Sequence, residues 1–155
     1  MTETTLRTFT LTVPAEYDPK WADAIKAGAP DTDNGSYIWE VGDQFPTDRN
    51  GTITERLRCV QFGPSYRHET ALAYAKAEKI AHAHPMAIWS IGKNHPKLAR
   101  DQGLSWMYLN SGLTCTAGGR VLVPYLICGG DGRRGADTRW ATREFLEDGW
   151  FVFRE

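Results

Sequence analysis

Near the start of the chain Phe9, Leu11 and Val13 alternate with Thr8, Thr10 and Thr12. A period of two predicts a strand with one buried face and threonines on the other. Asp18-Pro19 supplies a helix start and Gly28 with Pro30 a stop, so residues 19–27 read as a short helix anchored by Trp21 and Ile25. Asp31-Thr32-Asp33-Asn34-Gly35 is faintly like a calcium loop. Glycine occupies its fifth position, however, and Gly42 stands where the twelfth-position glutamate belongs, so it reads as a plain turn. Tyr37, Trp39 and Val41 alternate with Ile38 and Glu40 to predict a second strand over 36–41. Residues 52–62 predict a longer strand, and Asn50-Gly51 predicts a tight hairpin turn between the two.

Residues 66–84 form the centre of this reading. Six alanines give the segment high helix propensity, Ser65 is placed to cap it, Glu69 suits its first turn, and Pro85 stops it. At 100° per residue Ala73, Tyr74, Ala77, Ile80, Ala81 and His84 share the expected buried stripe, and His68, Lys76 and Lys79 face solvent. Residues 86–91 predict a short apolar strand, 97–110 are ambiguous between helix and strand, and 121–128 predict a buried strand in which Pro124 calls for a bulge or an edge. The glycine-rich run 129–135 follows. A helix from Asp137 or Thr138 to about Asp148, stopped by Gly149, and a final strand over 150–153 complete the pattern.

The fold class implied is α+β: a single domain with a mainly antiparallel sheet of five or six strands, the 66–84 helix, and one or two shorter helices packed on it. A length of 155 residues, 41% of them hydrophobic, suits one packed domain that needs no disulfide or metal for stability. No apolar run is long enough for a membrane span, and residues 1–7 lack a basic-then-apolar leader, so a soluble, cytoplasmic protein is expected. Cys59, Cys115 and Cys128, odd in number and set in apolar surroundings, read as reduced core thiols.

Net charge is −1, but the charges are segregated. The first 55 residues carry four basic and ten acidic groups, whereas residues 56–134 carry eleven basic and four acidic, together with all four histidines. Such a division fits either an anionic partner for the middle block or internal neutralisation against the acidic first third, and the second is preferred.

Candidate binding residues follow from these placements. Arg56 and Arg58 point the same way from one strand, about 7 Å apart. They can clamp a phosphate or a carboxylate, or pair across the hairpin with Glu40, the reading preferred. Arg133 and Arg134 sit in a glycine-rich turn before a predicted helix N-terminus, a geometry that permits anion binding, although neither the dinucleotide nor the phosphate-loop pattern is present. His82 and His84, two apart on a helix, cannot share a metal, and His84 reads as a satisfied histidine at the helix end. Neither a metal site nor a cofactor signature stands in the chain, nor does any local catalytic motif.

Three function classes remain open. The first is a small non-enzymatic interaction protein, a regulator or inhibitor that docks on a larger protein through aromatic and arginine anchors, with Trp106 and Tyr108 among its rings. The second is a nucleic-acid-binding protein using Arg56, Arg58, Lys76, Lys79, Lys93, Lys97 and Arg100, against which the near-neutral pI of 6.4 counts. The third is an enzyme on an anionic cofactor or substrate. Over some 30 residues the order strand, Pro64-Ser65-Tyr66-Arg67, helix, strand is similar in layout to the acyl-CoA-binding core of the acetyl-CoA-dependent N-acyltransferases, with Arg67, His68 and Glu69 where that family has glycines. The first class is the expectation carried forward.

Overall fold

The computed structural model describes residues 6–155. Of the polar amino terminus read for a leader, only Leu6 and Arg7 fall within that range; the remainder lies outside the described residues. In chain order the elements are β1 (Arg7–Glu16), α1 (Trp21–Gly28), β2 (Thr52–Gln61), β3 (Ser65–Tyr66), α2 (His68–Glu78), β4 (Ala81–His82) and α3 (Pro85–Asn94). They continue with α4 (Leu98–Asp101), β5 (Trp106–Ser111), β6 (Cys115–Ala117), β7 (Arg120–Gly129), β8 (Arg134–Trp140), β9 (Phe145–Leu146) and β10 (Gly149–Arg154).

The chain is one α+β domain built on a mixed sheet of eight strands. Its main path runs β1-β2-β10-β5-β7-β6, with β4 paired to β10 and β8 to β7, while β3 and β9 form a separate two-stranded ribbon. The pairing of β5 with β10 is parallel, and the other pairings are antiparallel. One face of the sheet packs against α1 and α3 in a core that includes Leu57, Cys59, Trp89, Leu126, Trp150 and Val152. The other face, around Val60, Phe62, Phe151 and Phe153, is covered by Ala71 and Ala75 of α2.

The threonine alternation folds as expected, with Val13 and Ala15 buried and Thr8, Thr10 and Thr12 exposed. Its partner is β2, residue for residue from Arg7↔Gln61 to Glu16↔Thr52. The expected strand over 36–41 is instead two single 3₁₀ turns, Tyr37–Glu40 and Gly42–Gln44, so Asn50-Gly51 closes no hairpin there. Ser36 caps the first turn by accepting from the Ile38 N–H, and the Trp21 indole donates to the Ile38 carbonyl, which directs the aromatics away from strand pairing. Residues 19–27 are helical with a small shift. Lys20, not Asp18, is the N-cap, because the Asp18 carboxylate accepts from the Gly51 N–H.

There is no long central helix. α2 runs for 11 residues and ends at Lys79, whose φ of 56° and ψ of 42° give the left-handed cap that turns the chain. The Ile80 N–H bonds back to the Ala75 carbonyl, and Ala81 and His82 then pair with Arg154 and Phe153. The buried stripe is therefore Ala71 and Ala75 with the half-buried Tyr74 beside them, whereas Ala73 and Ala77 are exposed. Residues 86–91, expected as a strand, lie in α3. His84 caps this helix, its Nδ1 accepting from the Met86 N–H, and Pro85 occupies the first turn. Every residue from Pro85 to Gly92 is buried, so the helix is apolar all round and shows no period in the sequence. Where α3 crosses α1 the backbones touch: a Cβ at Gly92 would lie 2.1 Å from the Gly28 carbonyl oxygen, and one at Gly28 would lie 2.0 Å from that of Trp89.

The ambiguous stretch 97–110 holds the short α4 and the start of β5. Pro124 lies inside β7 but between the pairings Cys115↔Leu122 and Asn110↔Tyr125, at the place that neither β6 nor β5 reaches. The expected helix after the glycine run is absent. Asp131-Gly132, with Gly132 at φ +91°, turns the chain into β8, which pairs with β7 from Cys128↔Arg134 to Leu122↔Trp140. Cys59, Cys115 and Cys128 are free and buried; burial pushes the Cys115 thiol up to about 11 and that of Cys128 to about 12. Among the described residues no helix is long and apolar enough to cross a membrane.

Candidate functional site

Strand alternation divides the aromatic residues of β5 and β7 between two faces. Met107, Leu109, Leu126 and Cys128 enter the core, so Trp106, Tyr108, Tyr125 and Ile127 stand on the opposite face. Tyr108 and Tyr125 rest against each other with ring centroids 5.4 Å apart, and Trp106 is 42% exposed, the most open tryptophan among the large exposed hydrophobics. β8 adds Gly135 and Asp137 to this face, opposite Ile127 and Tyr125.

The free edge of β8 is covered by the turn after α1. The Asp31 N–H donates to the Arg134 carbonyl, the Arg134 N–H donates to the Asp31 carboxylate at 2.9 Å, and the Ala136 N–H donates to Thr32 Oγ1 at 2.9 Å. This blunts the edge and fixes Asp31 and Asp33 beside the aromatic row. The result is a notch of about 280 Å³ lined by Asp31, Asp33, Trp106, Tyr125, Arg133 and Asp137. Among the described residues the lining thus carries three aspartates and one arginine. Asp137 is held by the Ser36 hydroxyl at 2.8 Å and by the Thr138 N–H. Burial, helped by Asp137, pushes the Tyr125 hydroxyl up to about 12, so it stays protonated.

The sequence-predicted residues divide into two groups. Trp106, Tyr108 and Arg133 come together on this face, and Arg133 is exposed at the tip of the β7–β8 hairpin. Arg134 is tied down behind them, its guanidinium donating to the Gly92 carbonyl. With no helix after the glycine run, its expected anion-binding helix N-terminus does not exist. Arg56 and Arg58 do share a face, but they close on the Glu155 carboxylate at 2.7 and 2.8 Å rather than on Glu40. Arg58 also donates to Tyr74 and Glu78, and its bond holds the Glu155 carboxyl below the ordinary range. The His68 ring nitrogen bonds the Gly112 carbonyl at 2.8 Å, and Lys76 on α2 and Lys79 at its C-terminal cap are exposed and do not line the notch.

The acidic half of the notch was not among the predicted residues. Its one sequence signal was the density of Asp31 and Asp33 in a turn, which is equally that of a solvated loop. Lys93 pairs with Glu16 and the turn at Asp31 holds Arg134, so the acidic first third does meet the basic middle block at these points. Among the described residues no three His, Cys, Asp or Glu side chains converge as metal ligands. No protein-family model, curated protein or solved structure matches this chain.

Proposed function

We propose that the chain is a non-enzymatic interaction protein that docks on a larger protein through the Trp106 notch, taking a lysine or arginine side chain of its partner between the rings and the carboxylates. The observation that carries this reading is the exposed Trp106 ring set beside Tyr125 and faced by Asp31, Asp33 and Asp137. Exposed tryptophan, tyrosine and arginine are what protein interfaces concentrate at their centres. A cation over an aromatic face gains about 0.5–2 kcal/mol, and adjacent carboxylates add charge-assisted hydrogen bonds. The surplus of acid over base in the notch selects a cationic group over an anionic one.

The test is titration with two short peptides, one lysine- and arginine-rich and one glutamate-rich, while following the Trp106 indole N–H by NMR. The basic peptide is expected to shift that resonance saturably and the acidic one is not. Trp106→Ala is expected to weaken binding of the basic peptide about thirtyfold, the scale of an interface anchor. Equal responses to both peptides, or no response to either, would refute the reading.

A further inference from the structure

A second cleft, of about 390 Å³, opens between the segment that enters β2 and the ends of β4 and β10. Arg49, His82, His84, Leu113 and Arg154 line it, with Asp48 as its one acidic group among the described residues. Its walls are held rigidly. Gln44 exchanges hydrogen bonds with the Thr116 backbone, donating at 2.8 Å and accepting at 2.7 Å, and the His84 Nε2 lies 2.8 Å from the Phe45 carbonyl. Because His84 Nδ1 accepts from the Met86 N–H, its proton is on Nε2, and the ring is a neutral structural wall with both nitrogens occupied.

Arg49 is aimed from beneath. Its Nη1 donates at 2.6 Å to Glu55 Oε1, which also receives the Tyr17 hydroxyl at 2.7 Å. The Glu55 side chain is only 3% exposed, so this carboxylate fixes the arginine without itself facing the cleft. Arg154 extends from β10 on the same face of the sheet as Glu55, and among the described residues no carboxylate pairs with it. Every other arginine of β2 and β10, namely Arg56 and Arg58, has an acidic partner.

His82 completes the set. Its Nδ1 is buried without a partner, pressed against Gly112 so closely that a Cβ there would lie 1.9 Å from it. A proton on Nδ1 would be a buried donor with no acceptor, so the neutral ring carries its proton on Nε2, free to donate. We infer that this cleft is a binding site for a compact oxyanion, a carboxylate or a phosphate group, held by Arg154 and Arg49 with the His82 Nε2–H as a third donor. Each guanidinium presents a planar fork of N–H donors suited to such oxygens, one of them pinned by a buried acid and the other without a carboxylate partner among the described residues.

The test is NMR titration of the full chain with inorganic phosphate and, separately, with acetate, following the arginine Nε–H and histidine side-chain signals. Saturable shifts of Arg154, Arg49 and His82 are expected, and whichever anion saturates at lower concentration tells a phosphate from a carboxylate ligand. Arg154→Gln is expected to weaken binding about tenfold or more, one lost charge-assisted contact, while the exposed Arg100→Gln leaves it unchanged. The inference is overturned if neither anion gives saturable shifts at these side chains, or if a folded Arg154→Gln variant binds as the wild type does. Should that variant fail to fold, the wild-type map decides alone: saturable shifts confined to other arginines would overturn the site.

Discussion

Replacing Gly92 by alanine tests the crossing on which the position of the Asp31 turn depends. The added methyl would lie 2.1 Å from the Gly28 carbonyl oxygen and 2.9 Å from its carbon, both backbone atoms that cannot rotate aside. To reach an ordinary 3.4 Å contact α1 and α3 must part by about 1 Å. Parting of that size forfeits a quarter to a half of the dispersion across the crossing, and overpacking of this kind costs about 1–3 kcal/mol. Alanine in a helix gains up to about 1 kcal/mol over glycine, but the Arg134 guanidinium bond to the Gly92 carbonyl is disturbed at a similar cost. The expected net loss is about 2 kcal/mol, read as a lower urea midpoint with unchanged slope in far-UV circular dichroism. Gly28→Ala presses on the same crossing, so the double variant should lose less than the two single losses together, since helices already parted admit the second methyl. A Gly92→Ala protein as stable as the wild type, or more so, would refute the backbone contact.

Two further outcomes can be checked on the same instrument. Lys79 pays left-handed strain at φ 56°, so Lys79→Gly should raise stability by about 0.5–1 kcal/mol despite glycine's freer unfolded chain, and a loss would mean the cap is not formed. His82 and His84 are held below the ordinary histidine value, first by burial, so the unfolded chain takes up their protons more readily. Their contribution to stability is present above about pH 6.5 and is lost as pH falls through that value toward the folded ones. His84→Asn keeps a capping side chain but removes one titrating group, and should flatten the fall in urea midpoint between about pH 7 and pH 5.

What could be read from the sequence was whatever local pattern alone decides. β1 showed its threonine alternation because it has one face against the core, and β2 showed its length although its far end is buried on both faces. α3 did not show itself, since a helix buried on every side has no polar face to mark the period. The alanine run was rightly helical at its start, but Lys79 ended it against propensity, because Ala81 and His82 gain a place beside β10. The helix expected after Asp137 lost to strand pairing with β7, a contact between distant residues that no local window contains. The same limit applies to the notch. Trp106, Tyr108 and Arg133 were recognised as anchors one by one, yet Asp31 joins them only through its bond to Arg134, 103 residues away in sequence, and Asp137 only through the strand register that sets it opposite Tyr125.

β10 follows the other strands of the sheet in chain order, yet it lies between β2 and β5. A chain emerging from the ribosome therefore holds two incomplete half-sheets, one of β1 and β2, the other of β5 to β8, each with an open inner edge. Neither half can bury Val60 or Leu109 fully until Phe151 and Val152 arrive. Assembly of this kind is late, dominated by long-range contacts, and slow compared with folding from local pairs. It also makes the two halves one cooperative unit: the six residues Gly149–Arg154 join the β5–β8 ladder that carries Trp106 to the β1–β2 ladder, and the Asp31 turn bridges the same halves at Arg134.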